Sequence, residues 1–152
     1  MLNNFADQRF LILGAGVTGS AVASSLRSRG GLVTITDDNA HDALRPESVD
    51  LANFDAVVIS PGWRQDHPLV VQALSSNLHI LNEIDLAWQI RSELAPQQKW
   101  LALTGTNGKT TTIQMLEAML VESGINAKAC GNVGFTAIEA VVKSNADILA
   151  LE

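Results

Sequence analysis

Two glycine loops, each set between a short apolar run and a helical pattern, limit what this chain can fold into. Gly14-Ala15-Gly16-Val17-Thr18-Gly19 follows the run Arg9–Leu13, and Gly105-Thr106-Asn107-Gly108-Lys109-Thr110-Thr111 follows Trp100–Thr104. Apolar runs this short, stopped by glycine, read as strands buried on both faces. A helix after each must fold back over the sheet. The repeating unit is therefore β-α-β, and the fold class is α/β with parallel sheets.

The same rhythm fills the rest of the chain. Strands are expected over Leu32–Thr36, Ala56–Ile59, His79–Leu81, Ala127–Cys130 and Asp147–Leu151. Helices are expected over Thr18–Arg29, Pro68–Ser75, Glu83–Leu94, Lys109–Ser123 and Thr136–Lys143. Pro68 suits a first helical position, and Gly30-Gly31 and Gly124 suit C-terminal caps. Ile113, Leu116 and Leu120 share one face of their helix, and Trp88, Trp100 and Cys130 read as core. Ala95-Pro96-Gln97-Gln98, with a proline among polar residues, reads as a linker. The expected organisation is a Rossmann-like domain over 1–95, a linker over 96–98, and the first part of a P-loop NTPase α/β domain over 99–152. The final strand is expected to leave its edge exposed, or paired with a neighbouring molecule, unless chain outside this sequence covers it.

Composition removes several function classes. The chain of 152 residues has a net charge of −6, so it offers no basic field for nucleic acid or an anionic membrane. No apolar stretch approaches the roughly 18 residues of a membrane helix, so membrane insertion is not expected. Asp7 and Arg9 precede a short apolar run that Gly14 ends, which is not the pattern of a signal peptide. The single cysteine, Cys130, excludes an internal disulfide and a cysteine zinc cluster, and fits a cytoplasmic setting.

The first loop fits G-x-G-x-x-G between strand and helix. Glycine permits a tight turn and close approach of a phosphate, and the helix start offers unpaired N–H groups with a favourable dipole. Asp37, at the end of the second strand, is placed to accept from a ribose or a base. A nicotinamide or flavin dinucleotide and a UDP-sugar are both open on this pattern. Ser60-Pro61-Gly62 ends the third strand at the same edge of the sheet, and Trp63 beside it is placed to line a pocket. His41, His67 and His79 have no ligand spacing.

The second loop carries Gly-Lys-Thr at the mouth of a helix, the core of an NTP phosphate loop. Its N–H groups would wrap a β-phosphate, Lys109 would reach the β- and γ-phosphates, and the Thr110 hydroxyl would ligate Mg²⁺. The loop is shorter than the usual pattern, with Leu103 where the first glycine is expected. On spacing alone, Asn132 in Gly131-Asn132-Val133-Gly134 is a turn residue and Glu152 a solvated terminal side chain.

These elements together resemble the Mur ligase family, the ATP-dependent ligases of peptidoglycan precursor synthesis. The matching segments are Gly14–Gly19, Ser60-Pro61-Gly62, Asn82-Glu83-Ile84-Asp85-Leu86, Thr104–Thr111, Gly131–Gly134 and Leu149–Glu152, in family order along the whole chain. Asn107 and Thr110 are less like the alanine-adding branch, which usually has His at the first, and the folylpolyglutamate synthases, which usually have Gly at the second. The match is strongest to the branch that adds D-glutamate to UDP-N-acetylmuramoyl-L-alanine.

The resemblance implies that the first domain holds UDP rather than NAD. Gly16, Val17 and Thr18 would contact the diphosphate, with Asp37, Asp38 and Gly62 around uracil and ribose. Asn132 would contact the UDP-sugar, and Glu152 would join Thr110 around Mg²⁺. Gly105, Thr106, Asn107, Gly108, Lys109, Thr110 and Thr111 would bind ATP phosphates, with Lys109 the catalytic candidate. The implied chemistry is an acyl phosphate formed from ATP, then attacked by the amine of D-glutamate. The implied roles are in cell-wall synthesis, cell shape and cell division. The family is about three times as long, so the D-glutamate site would lie outside this sequence and turnover by this chain alone is not expected. The competing readings are an NAD(P)-binding oxidoreductase domain, which leaves the second loop without a purpose, or a Mur ligase with another substrate.

Overall fold

The computed structural model describes residues 5–152. They divide into two compact units, one ending at Leu86 and the other running Ala87–Glu152. In the first unit, β1 (Arg9–Leu13), β2 (Leu32–Thr36), β3 (Ala56–Ile59) and β4 (His79–Leu81) form a parallel sheet in the order β2-β1-β3-β4. Helices α1 (Val17–Arg27) and α2 (Pro68–Leu74) come after β1 and β3. Phe10, Leu11, Ile12 and Leu13 are each 0% exposed, which explains why β1 is apolar without alternation. Full burial of such side chains contributes about 1.5–3 kcal/mol each. Leu11, Leu13 and Val57 pack against Leu69, Val70 and Ala73 of α2.

The strand order places a topological switch between β1 and β3, since the chain leaves these neighbours in opposite directions along the sheet. The loops after β1 and β3 meet at that edge. Asp37 and Asp38 come directly after β2 at the same edge.

In the second unit, β5 (Lys99–Ala102), β6 (Ala127–Cys130) and β7 (Ile148–Leu151) form a parallel sheet in the order β5-β7-β6. Helices α4 (Lys109–Glu122) and α5 (Ala137–Lys143) connect them. The expectation of an open-edged final strand is overturned. The β5-α4-β6 connection leaves room for one strand, and β7 fills it, pairing Ala150 with both Leu101 and Ala129. Leu149 and Ala150 are fully buried as a result.

Helix α3 (Glu83–Leu94) contains the division between the units, upstream of the linker expected at 96–98. The C-terminal half of α3 is tied to the turn and strand that come after it. The Arg91 guanidinium donates to Gln98 O, and the Trp88 and Trp100 rings meet edge to face with centroids 5.0 Å apart. Gln98 is buried, with Nε2 donating to Ala146 O, which fixes the end of the turn over 95–98. Trp88 is not core: it is 42% exposed, with Arg91 stacked on its ring, and Trp100 is half-buried. Of the expected apolar face of α4, Ile113 alone is buried, while Leu116 packs from a half-buried position.

Candidate functional site

Each unit presents one loop with the features of an anion site. Among the described residues, α2 begins on a cap by His67, α5 on a capping box between Thr136 and Glu139, and α3 on a reciprocal pair between Asn82 and Asp85. Helices α1 and α4 begin on Gly16 and Gly108, without a side-chain cap and without an acidic residue in the first turn. Their first-turn N–H groups have no intrahelical partner, and the positive end of the dipole is left for a ligand.

The glycines of the first loop separate into those the fold demands and one it does not. A Cβ on Gly19 would lie 1.8 Å from Gly14 O, so only glycine lets α1 approach β1 this closely. Gly14 has φ +113°, and its Cβ would lie 2.9 Å from Ser60 Oγ and 3.3 Å from Trp63 Nε1. Gly16 has φ −70°, which any residue adopts, and a Cβ there would meet nothing within 4 Å. The protein itself gives no steric reason for that glycine, which fits close approach by a ligand. Val17, next to it, is 78% exposed, and Thr18 is half-buried.

Asp37 does something the sequence did not disclose. Its Oδ2 accepts from Ala15 N–H at 2.8 Å, and its Oδ1 accepts from Asn39 and Ala40 N–H at 2.8 and 3.2 Å. These bonds, Ala15 first, hold its carboxyl below the usual carboxylate range. Asp37 thus pins the glycine loop to the end of β2 and keeps a charge there. Asp38, half-exposed, faces His67 Nε2 at 3.5 Å. Gly62 is exposed on the loop after β3, beside an open cleft of about 780 Å³ lined by Ser60, Trp63, Ile80 and Asn82 among others. Gly16, Val17, Thr18, Asp37, Asp38 and Gly62 therefore share one sheet edge. Asn132 belongs to the other unit, exposed on the turn after β6.

The second loop, Gly105 to Gly108, is exposed and ends on Gly108 with φ +76°, a left-handed value that favours glycine. Lys109 Nζ donates to Gly105 O at 2.9 Å, so the ammonium lies within the loop. The Thr112 hydroxyl donates back to Gly108 O at 2.9 Å, which leaves the first-turn N–H groups uncapped. Thr106, Asn107 and Thr111 are exposed around it. The Thr110 hydroxyl donates to Glu152 Oε2 at 2.6 Å. Insertion of β7 beside β5 produces this pairing. A close backbone approach helps: a Cβ on Gly131, at φ +102°, would lie 2.6 Å from Glu152 O.

A hydroxyl and a carboxylate in contact at the mouth of a phosphate loop are hard oxygen donors of the kind Mg²⁺ takes alongside phosphate oxygens. No cluster of three or more His, Cys, Asp or Glu occurs among the described residues. A magnesium ion held by one carboxylate, one hydroxyl and phosphates needs none. The residues fit the ion.

From the sequence His67 has no ligand spacing and no other assigned role. His67 carried a signal, since a polar residue directly before a proline at a helix start is placed to cap it. Its approach to Asp38 carried none, because it depends on strand order.

No protein-family model matches the chain. The chain is 39% identical over 164 residues to UDP-N-acetylmuramoylalanine–D-glutamate ligase of Thermobifida fusca, covering 95% of this chain and 35% of that protein. It is 40% identical to the protein of that name in Corynebacterium efficiens, over 83% of this chain and 30% of the relative. The counterpart in Mycolicibacterium vanbaalenii is 38% identical over 93% of this chain and 32% of its own length. The chain thus spans about a third of the length of these curated relatives. Among solved structures, the UDP-N-acetylmuramate:L-alanyl-gamma-D-glutamyl-meso-diaminopimelate ligase of Neisseria meningitides matches 97% of this chain and 52% of its own, with a TM-score of 0.56 and 20% identity. That likeness shows the fold.

Proposed function

The chain belongs to the Mur ligase family, and on that premise we propose that it carries two substrate sites of an ATP-dependent peptidoglycan-precursor ligase. The reaction is the addition of D-glutamate to UDP-N-acetylmuramoyl-L-alanine through an acyl phosphate, with release of ADP and phosphate. The relatives' names and the geometry of the two loops support this reading. The single observation that carries it is the Thr110–Glu152 contact beside Lys109, because a dinucleotide-binding domain has no use for it.

In this reading the first unit binds the UDP moiety. N–H groups at the start of α1 receive the diphosphate over Gly16, Val17 and Thr18. Asp37 holds that loop in place, and Asp38 and Gly62 border the uridine. Asn132 is assigned to the UDP-sugar.

The second unit binds ATP phosphates through Gly105–Thr111. Lys109 neutralises charge on the transferring phosphoryl group, which is electrostatic work rather than covalent chemistry. Thr110 and Glu152 would hold Mg²⁺, which when bound supplies charge neutralisation to the phosphates. We assign the protein to the cytoplasm, where ATP and nucleotide-linked precursors occur, and to cell-wall growth, cell shape and division. No described helix is long and apolar enough to cross a membrane.

Calorimetric titration of Mg·ATP into the wild-type chain and Lys109→Ala tests the second site. The expected result is binding that the variant loses. Equal binding by both would refute the assignment of the loop.

A further inference from the structure

Trp63 is the side chain at the first site that neither the loop motif nor the family reading uses. It lies on the loop after β3 and packs partly against the core cluster of Leu11, Leu13 and Val57. Its indole nitrogen reaches across the switch between β1 and β3 to the glycine loop, 3.3 Å from where a Gly14 Cβ would stand. The indole N–H is a donor only, and it takes no acceptor among the described residues. The ring is half-buried while the nitrogen stays open to solvent, an apolar body with a wet polar tip.

The ring is held from its other side. His67 meets Trp63 edge to face, with centroids 4.5 Å apart and planes at 70°. His67 Nδ1 accepts from Leu69 N–H at 3.2 Å as the cap of α2, so in the neutral ring Nε2 carries the hydrogen. That nitrogen faces Asp38 Oδ1 at 3.5 Å. Asp37 in turn binds Ala15 N–H. The loops after β1, β2 and β3 are thus linked through Asp37, Asp38–His67 and Trp63, with the glycine loop at the centre.

We propose that Trp63 is a further binding residue of the nucleotide site, its indole N–H donating to an oxygen of a nucleoside diphosphate held over the glycine loop. His67 is the positioning residue that fixes the ring. The inference rests on the reading of the first loop as a UDP site. Open α/β sheets bind ligands in the crevice at such a switch, and the indole nitrogen lies beside Gly14 there. The indole nitrogen is not among the buried polar atoms left without a partner, so it is open to solvent and accessible to a ligand.

The test is the indole N–H resonance of Trp63 in the ¹⁵N-labelled chain, assigned against Trp88 and Trp100 by single Trp→Phe variants. UDP is expected to move the Trp63 signal and leave the other two, and uridine is expected to leave all three in place. Trp63→Phe, which keeps the ring and removes the donor, should weaken UDP about five- to tenfold in calorimetry. His67→Asn preserves a helix cap; it should shift the Trp63 resonance before any ligand is added and weaken UDP by a smaller factor. UDP binding in calorimetry with an unmoved Trp63 signal overturns the proposal and spares the UDP site. An equal shift with uridine overturns the phosphate contact. Absence of any UDP binding removes the site and the proposal together.

Discussion

The Thr110 hydroxyl donates to Glu152 Oε2 across 2.6 Å, joining residues 42 positions apart. The contact exists because β7 enters the sheet between β5 and β6, which brings the end of that strand beside the phosphate loop. Both side chains offer oxygen at the mouth of that loop.

Removal of either oxygen is expected to uncouple ATP from magnesium. Thr110→Ala and Glu152→Gln should each weaken Mg·ATP about tenfold and change metal-free ATP binding little. Titrations with and without Mg²⁺ give the comparison. Full retention of the magnesium effect in both variants would mean that the pair holds no ion.

The two glycines of the first loop should behave oppositely. Gly19→Ala forces a Cβ against Gly14 O at 1.8 Å, and overpacking of this kind costs about 1–3 kcal/mol or more. Its melting temperature should fall. Gly16→Ala meets open space and an ordinary φ, so its melting temperature should stay near wild type while UDP affinity drops about tenfold, through interference with the phosphate approach. A normal UDP affinity in Gly16→Ala would move the ligand away from that glycine.

Among the described residues, two of the four carboxylates held below their ordinary values, Asp37 and Asp55, are tied to β1 and its loop and contribute to acid sensitivity. Asp55 is pushed down to about 2 from an ordinary 3.8 by hydrogen bonds from the Arg9 side chain and backbone, and Asp37 is lowered chiefly by Ala15 N–H. Each holds its charge in the folded chain at a pH where the unfolded chain takes up a proton. Their contribution is therefore present above the ordinary carboxylate value and is lost as pH falls through the folded one. Denaturant midpoints should decline between pH values of about 4 and 2, with Asp55→Asn less stable than wild type near neutrality and converging on it in acid. Parallel curves for the two proteins would contradict the assignment to Asp55.

Much of this architecture is written locally. The β1 run of buried apolar residues, the glycine stop and the helix start are each fixed by neighbours in the chain, so they can be read without the fold. Strand order is not local. The central place of β7 depends on a crossover, and with it the meeting of Thr110 and Glu152, which the family resemblance implied and the spacing did not. The role of Asp37 was hidden for a related reason. A carboxylate at a strand end looks the same in sequence whether it meets a ribose, a backbone N–H or both, and the bond from Ala15 emerges only with the fold. Trp88 reads as core because large aromatic residues usually are, yet here Arg91 covers one face of a half-exposed ring.

The central claim is that the first loop serves a UDP-linked substrate and not a dinucleotide. Its most direct test is the melting temperature of the wild-type chain with UDP-N-acetylmuramoyl-L-alanine and, separately, with NAD. The account predicts a rise with the UDP conjugate and none with NAD. A rise with NAD alone would contradict it.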